Sequence, residues 1–136
     1  MPMFNQTSLN ALQGSLNGLA AQHDAATNNL ANVDTPGYKR QTVDFRDELK
    51  SAMSSGGNGL MSTNKKHFTT EQQSLNSFTP SVTRETNTSG RIDENNVDID
   101  AEMSNLAKTS LEYQASSTLI RDQFDRFNTV INKGGR

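Results

Sequence analysis

The sequence contains no cysteine and no tryptophan among its 136 residues, and only three prolines. Without cysteine there is no disulfide framework, no cysteine zinc site and no thiol nucleophile. No run approaches the roughly 20 consecutive apolar residues needed to cross a bilayer. The amino terminus has neither the basic start nor the apolar run of a cleavable secretory signal, so a route out of the cytoplasm would be a different one. Lysine and arginine are absent from the first 38 positions, where only Asp24 and Asp34 carry charge. A membrane-surface helix would want basic residues on its polar face, so that reading is disfavoured. The net charge of −2 leaves no nucleic-acid footprint.

Apolar residues are scarce as well. Hydrophobic types make up 32% of the chain. Leu, Ile, Val and Phe fall just under the roughly 20% at which composition begins to signal disorder. So small a net charge does not hold a chain open by repulsion. The composition therefore describes a chain of one-domain length that completes its core with neighbours.

What is present is heptad pattern at both ends. From the amino end the positions run Leu9, Leu12, Leu16, Leu19, His23, Ala26, Leu30 and Val33, alternating steps of three and four, the seam of a coiled coil. A helix over 9–33 would be about 37 Å long, with Thr7 or Ser8 as N-cap. Pro36 pushes Thr35 out of helical geometry, and Pro36-Gly37 suits the centre of a type II turn. A second stripe, Ala11, Gly14, Gly18, Ala21 and Ala25, is made of small residues. Gly14 and Gly18 each cost about 1 kcal/mol of helix propensity against alanine. That loss makes sense where another helix approaches closely, as in the wall of a tube.

At the other end, Ile99, Met103, Leu106, Ser110, Tyr113, Ser117, Ile120, Phe124, Phe127 and Ile131 also follow steps of four and three. A helix over 99–131 would be about 50 Å long. Asp98 is placed as its N-cap, Asp100 and Glu102 suit the positive end of its dipole, and Gly134-Gly135 lies where a terminator is expected. Ser110 and Ser117 leave room in this seam for larger groups from the first helix.

Between the two, residues 44–53 read as a short helix capped by Asp44, with Phe45, Leu49 and Met53 on one face. Ser54 to Asn96 is rich in Ser, Thr, Asn and Gly, with a flexible joint at 54–59. Val82–Thr86 and Arg91–Asp93 read as a weak hairpin around 87–90. The fold class is therefore mainly α: long terminal helices pack as a coiled-coil hairpin, with a loop-rich, weakly β middle. The divisions are 1–38, 39–98 and 99–136, the two end segments contributing to one structural domain.

Reactive constellations do not emerge. Asp93, Glu94, Asp98, Asp100 and Glu102 invite a calcium reading, but an EF-hand loop counted from Asp93 needs Gly where Asp98 stands and Glu where Ser104 stands. Helix capping explains these acids better. His23 and His67 are not at ligand spacing with carboxylates; His23, on the first seam, reads as a packing histidine. No nucleophile elbow, phosphate loop or paired catalytic acid is found, and no cofactor is indicated.

The segment Asn28-Asn29-Leu30-Ala31-Asn32-Val33-Asp34-Thr35-Pro36-Gly37-Tyr38 resembles the signature of the bacterial flagellar rod and hook proteins. Position 27 is Thr, where that signature has Ala. The signature positions matched are Asn29, Leu30, Ala31, Asn32, Thr35, Pro36, Gly37 and Tyr38. Asn95-Asn96-Val97-Asp98-Ile99-Asp100-Ala101-Glu102-Met103, then Leu106-Ala107 and Leu111-Glu112-Tyr113-Gln114-Ala115, is similar to the proximal rod family within that group. Where that family often has Asp-Gly-Asn, this chain has Asp93-Glu94-Asn95. The resemblance implies a structural, non-enzymatic rod subunit exported by the flagellar type III apparatus without signal cleavage. It also implies assembly with copies of itself and other rod subunits, and contact with the membrane-ring adaptor and the export gate, without membrane insertion. The expected assembly surface comprises Leu9, Leu12, Gly14, Leu16, Gly18, Leu19, Leu30 and Val33 with Met103, Leu106, Tyr113, Ile120, Phe124, Phe127 and Ile131. Two alternative readings stand beside it: a free helical hairpin that docks one partner helix, which predicts a discrete folded monomer or dimer, and a neighbouring rod protein of the same superfamily, against which the carboxy-terminal motif argues.

Overall fold

The structure is a computed structural model and describes residues 6–55, 78–86 and 91–133. Three helices and two short strands follow one another as α1 (Gln6–Ala31), β1 (Gln41–Val43), α2 (Arg46–Ser55), β2 (Val82–Arg84) and α3 (Ile99–Lys133). The two long helices pack on each other antiparallel: Asn29 meets Glu102 at one level, and Ser15 lines the same groove as Ser116 at another.

The ends of α1 differ from the expectation in detail. The helix is already formed at Gln6, so Thr7 and Ser8 lie in its first turn and neither is the N-cap. Its last residue is Ala31, after which the chain turns through residues 32–37. Gly37 has φ +72°, and Tyr38 N–H donates to the Thr35 carbonyl at 3.2 Å. That is the type II turn expected of Pro36-Gly37, because its third position needs positive φ.

The small-residue stripe has its own cover. Phe45, just ahead of α2, is buried against α1 with Leu19, Ala25, Val43 and Phe78, and Leu49 packs on that cluster. A Cβ on Gly18 would lie 2.2 Å from the Phe45 ring, and one on Gly14 would lie 2.8 Å from Leu49 Cδ1. Close approach is thus the reason for both glycines, but the approaching groups belong to this chain's own middle segment. The bare face expected along the stripe is, at these two positions, filled.

In α2 the N-cap position falls to Phe45, whose carbonyl accepts from Leu49 N–H at 2.8 Å, in place of Asp44. Ala52 is buried and Met53 is 44% exposed, so the packed face runs Phe45, Leu49, Ala52. The expected hairpin is not formed. Val82–Arg84 pairs antiparallel with Gln41–Val43, in the register Gln41↔Arg84, Thr42↔Thr83, Val43↔Val82, and Arg91–Asp93 is turn and coil. Residues 56–77, 87–90 and Gly134-Gly135 lie outside the described residues, and with them most of the flexible joint and the terminator.

α3 begins as expected. Asp98 Oδ1 accepts from the backbone N–H groups of Asp100 (3.0 Å) and Ala101 (3.2 Å), an N-cap that satisfies two orphan donors. Its packing face is rotated from the expected seam. Glu102 and Thr109 are buried against α1, whereas Ile99, Met103, Tyr113, Phe124 and Ile131 remain 44–71% exposed. His23 of α1 is exposed too, so it is not a packed seam histidine. Opposite Ser110 stand Ala20 and His23, and the space there is an open cleft that no large group of α1 fills.

Candidate assembly interface

Two buried asparagines lock the end of α1 to the start of α3. Asn29 is wholly buried in the last turn of α1. Its Nδ2 donates to the Gln41 carbonyl (2.8 Å) and to Glu102 Oε2 (3.2 Å). Its Oδ1 accepts from Gln41 N–H (2.8 Å) and from the Tyr38 hydroxyl (3.2 Å). Helix, turn and strand thus meet on one amide. Only an amide offers donors and an acceptor in that arrangement; Asp would lack the donors.

Asn95 is the counterpart from the far side. Its Nδ2 donates to the carbonyls of Asn32, Val33 and Thr35, each at 2.9 Å, and so pins the turn that follows α1 from a point 60 or more residues later in the chain. Its Oδ1 accepts from Val97 N–H at 2.8 Å. Asn96 Oδ1 accepts from Arg40 N–H (2.7 Å), and Asp93 carbonyl accepts from Gly37 N–H (2.8 Å). Carbonyls packed away in a turn, outside any helix or sheet ladder, need such partners.

The charge at the centre is Glu102, only 2% exposed, held by Arg40 Nε at 2.5 Å; Arg40 Nη1 also reaches Glu85 at 3.0 Å. Burial by itself would lower the Arg40 pKa. The hydrogen bond and charge of Glu102, joined by the charge of Glu85, overcome that and raise it above the ordinary arginine value. The guanidinium therefore stays charged at every physiological pH. A second ion pair, Arg46 with Glu112, ties α2 to α3 at the surface.

The residues singled out from sequence divide into three groups. Leu19, Gly14, Gly18 and Asn29 are buried within the single chain. Leu9, Leu12, Leu16, Leu30, Asn32, Val33, Tyr38, Leu106, Ile120 and Phe127 are half-buried, and Ala31, Thr35, Pro36, Gly37, Met103, Tyr113, Phe124 and Ile131 are exposed. Signature residues therefore play two parts: Asn29, Asn32 and Tyr38 build the bracket, while Thr35–Gly37 form its exposed rim. Sequence reasoning did not single out Arg40 or Phe78, it placed Phe45 only on the face of the short middle helix, and it treated Glu102 only as a helix-dipole acid. A signal for Glu102 was available: Glu102, Leu106, Thr109, Tyr113, Ser116 and Ile120 form a second series of four-three steps, which shares Leu106, Tyr113 and Ile120 with the more apolar one and sits one residue earlier at the other positions.

Comparison with known proteins agrees with this geometry. A family model described as "Flagella basal body rod protein" matches residues 9–39, which is α1 and the turn after it. The chain is 31% identical to the flagellar basal body rod protein FlgB of Bacillus subtilis (strain 168) over 134 residues, spanning 98% of this chain and 99% of that one. It is 32% identical over 127 residues to FlgB of Escherichia coli (strain K12), spanning 90% and 91% of the two chains. FlgB of Aeromonas hydrophila is 35% identical over 106 residues, or 76% of each chain. Such identity along almost the full length means that the chain belongs to the FlgB family of flagellar basal body rod proteins.

Proposed function

We propose that this chain is a structural subunit of the proximal part of the flagellar basal body rod, and that it polymerises through its terminal helices. The observation that carries the reading is the way the chain divides its apolar residues. α3 docks on α1 through Glu102, Thr109 and other largely polar positions, and leaves Ile99, Met103, Tyr113, Phe124 and Ile131 largely in solvent. Large apolar surface left out of a small chain's own core marks a surface for association. The bracket around Asn29 and Asn95 fixes the helix pair as one stiff unit, so load is shared among many packed contacts.

On this reading the chain is not an enzyme. Segments 1–38 and 99–136 supply one structural domain, and 39–98 covers one side of α1. The subunit leaves the cell by the flagellar type III route without signal cleavage and lies in the rod where it crosses the periplasm. Its neighbours are copies of itself, other rod subunits, the membrane-ring adaptor and the export gate.

Deletion of the gene followed by imaging of purified basal bodies tests the reading. Membrane rings without rod or hook are expected, restored by the wild-type gene and not by Leu16→Asp. Intact rods and normal swimming in the deletion strain would overturn it in favour of a free helical binding module.

A further inference from the structure

The cleft between α1 and α3 lies on the side of the hairpin away from α2. It measures about 320 Å³ and is lined by Ala20, His23 and Asp24 of α1 and by Thr109, Ser110, Tyr113 and Gln114 of α3. His23 stands about 140° round the helix from Gly18, the residue that seats Phe45. Nothing from the described part of the chain enters the cleft, which Ala20 of α1 lines together with Ser110 of α3. Its rim carries Asp24, the only charged residue of α1 and without an ion-pair partner among the described residues.

A complementary group stands near the other end of the same molecule. Phe124 of α3 is 51% exposed, propped edge-to-face by Phe127 with ring centroids 6.2 Å apart. Arg121, one turn before it on the same side of the helix, is exposed and likewise has no ion-pair partner among the described residues. The pairing of Asn29 with Glu102 and of Ser15 with Ser116, continued residue for residue, brings Gln6 level with Asp125. Phe124 thus sits at the far end of the hairpin, about 20 Å along the axis from the cleft at 1.5 Å per residue.

We infer that the cleft receives the distal part of α3 from a second copy of this chain, with Phe124 seated between Ala20 and Ser110 and Arg121 paired with Asp24. An aromatic ring suits a mostly apolar cleft of this volume, and a cation one helical turn away meets the one anion on the rim. The same chain cannot fill its own cleft, because its knob is held too far away by a rigid helix. The inference rests on the reading of the chain as a polymerising rod subunit and specifies which surfaces meet.

The absence of cysteine makes the test direct. Ala20→Cys and Phe124→Cys are expressed as separate full-length copies in one flagellated strain lacking the native gene, and oxidised in place. A cross-linked pair of this chain is expected from the two together and from neither alone. Arg121→Asp and Asp24→Arg should each reduce the yield at least several-fold, and the two combined should restore it. Rods that assemble without the cross-link, a cross-link only to a different protein, or equal yields from single-cysteine strains would each overturn the inference while leaving the rod reading standing. Absence of the wild-type chain from purified rods would fail that reading instead.

Discussion

Single residues in this chain show where local geometry and side-chain identity disagree. Glu94 has φ +61°, a left-handed conformation that costs an L-residue about 1–2 kcal/mol and costs glycine nothing. It occupies the position where the proximal rod family often has glycine. What holds it there is backbone: Glu94 N–H donates to the Arg91 carbonyl, and Lys39 Nζ donates to the Glu94 carbonyl at 2.7 Å. Glu94→Gly keeps both bonds, so urea denaturation should show a gain of about 0.5–1 kcal/mol after glycine's extra flexibility is deducted. Arg40→Ala acts in the opposite sense. It leaves the Glu102 carboxylate buried without its cation, and denaturation should show a loss of about 3–5 kcal/mol. Arg40→Lys should fall between, because one ammonium cannot span Glu102 and Glu85 as the guanidinium does.

Among the elements, α1 and α3 were legible in the sequence because each carries more than twenty residues of unbroken period, and Asp98 because a cap requires only its own three neighbours. The strand at Gln41–Val43 was not legible: three residues show no alternation, and their partner Val82–Arg84 lies forty positions away. The docking face of α3 was misplaced because apolarity was taken to mark the intramolecular seam. Glu102 and Thr109 become good packing residues only once Arg40 and Asn29 are brought to meet the carboxylate. Phe78 was passed over since a single aromatic in irregular chain has no period, and Phe45 was read only as part of the short helix's own face. The asparagine bracket predicts an element-level effect. Asn95→Asp is nearly isosteric, yet it sets a carboxylate oxygen against three carbonyls and removes the donor they share. A loss of about 2–4 kcal/mol is expected, with early hydrogen exchange confined to the turn that follows α1. Protection equal to wild type in that turn would contradict the role given to Asn95.

At the scale of the whole molecule, folding and assembly draw on different residues and should separate by mutation. Leu19→Asp places a charge in the centre of the core and should abolish the folded state itself. Phe124→Asp changes a half-exposed side chain; circular dichroism should show the folded subunit within about 0.5 kcal/mol of wild type, while rods fail to form. Equal unfolding in both variants would mean that the distal half of α3 belongs to the core after all. The bracket carries one more consequence, in kinetics. The amide that fixes the turn after α1 is supplied from residue 95, and the residues it serves are Asn32, Val33 and Thr35. Closing so long a loop is slow compared with helix growth. A chain emerging amino end first, from a ribosome or a narrow conduit, therefore holds one half of this joint and not the other until residue 95 of 136 is out. Premature compaction is delayed by connectivity alone, and the stiff form becomes available only late in the passage.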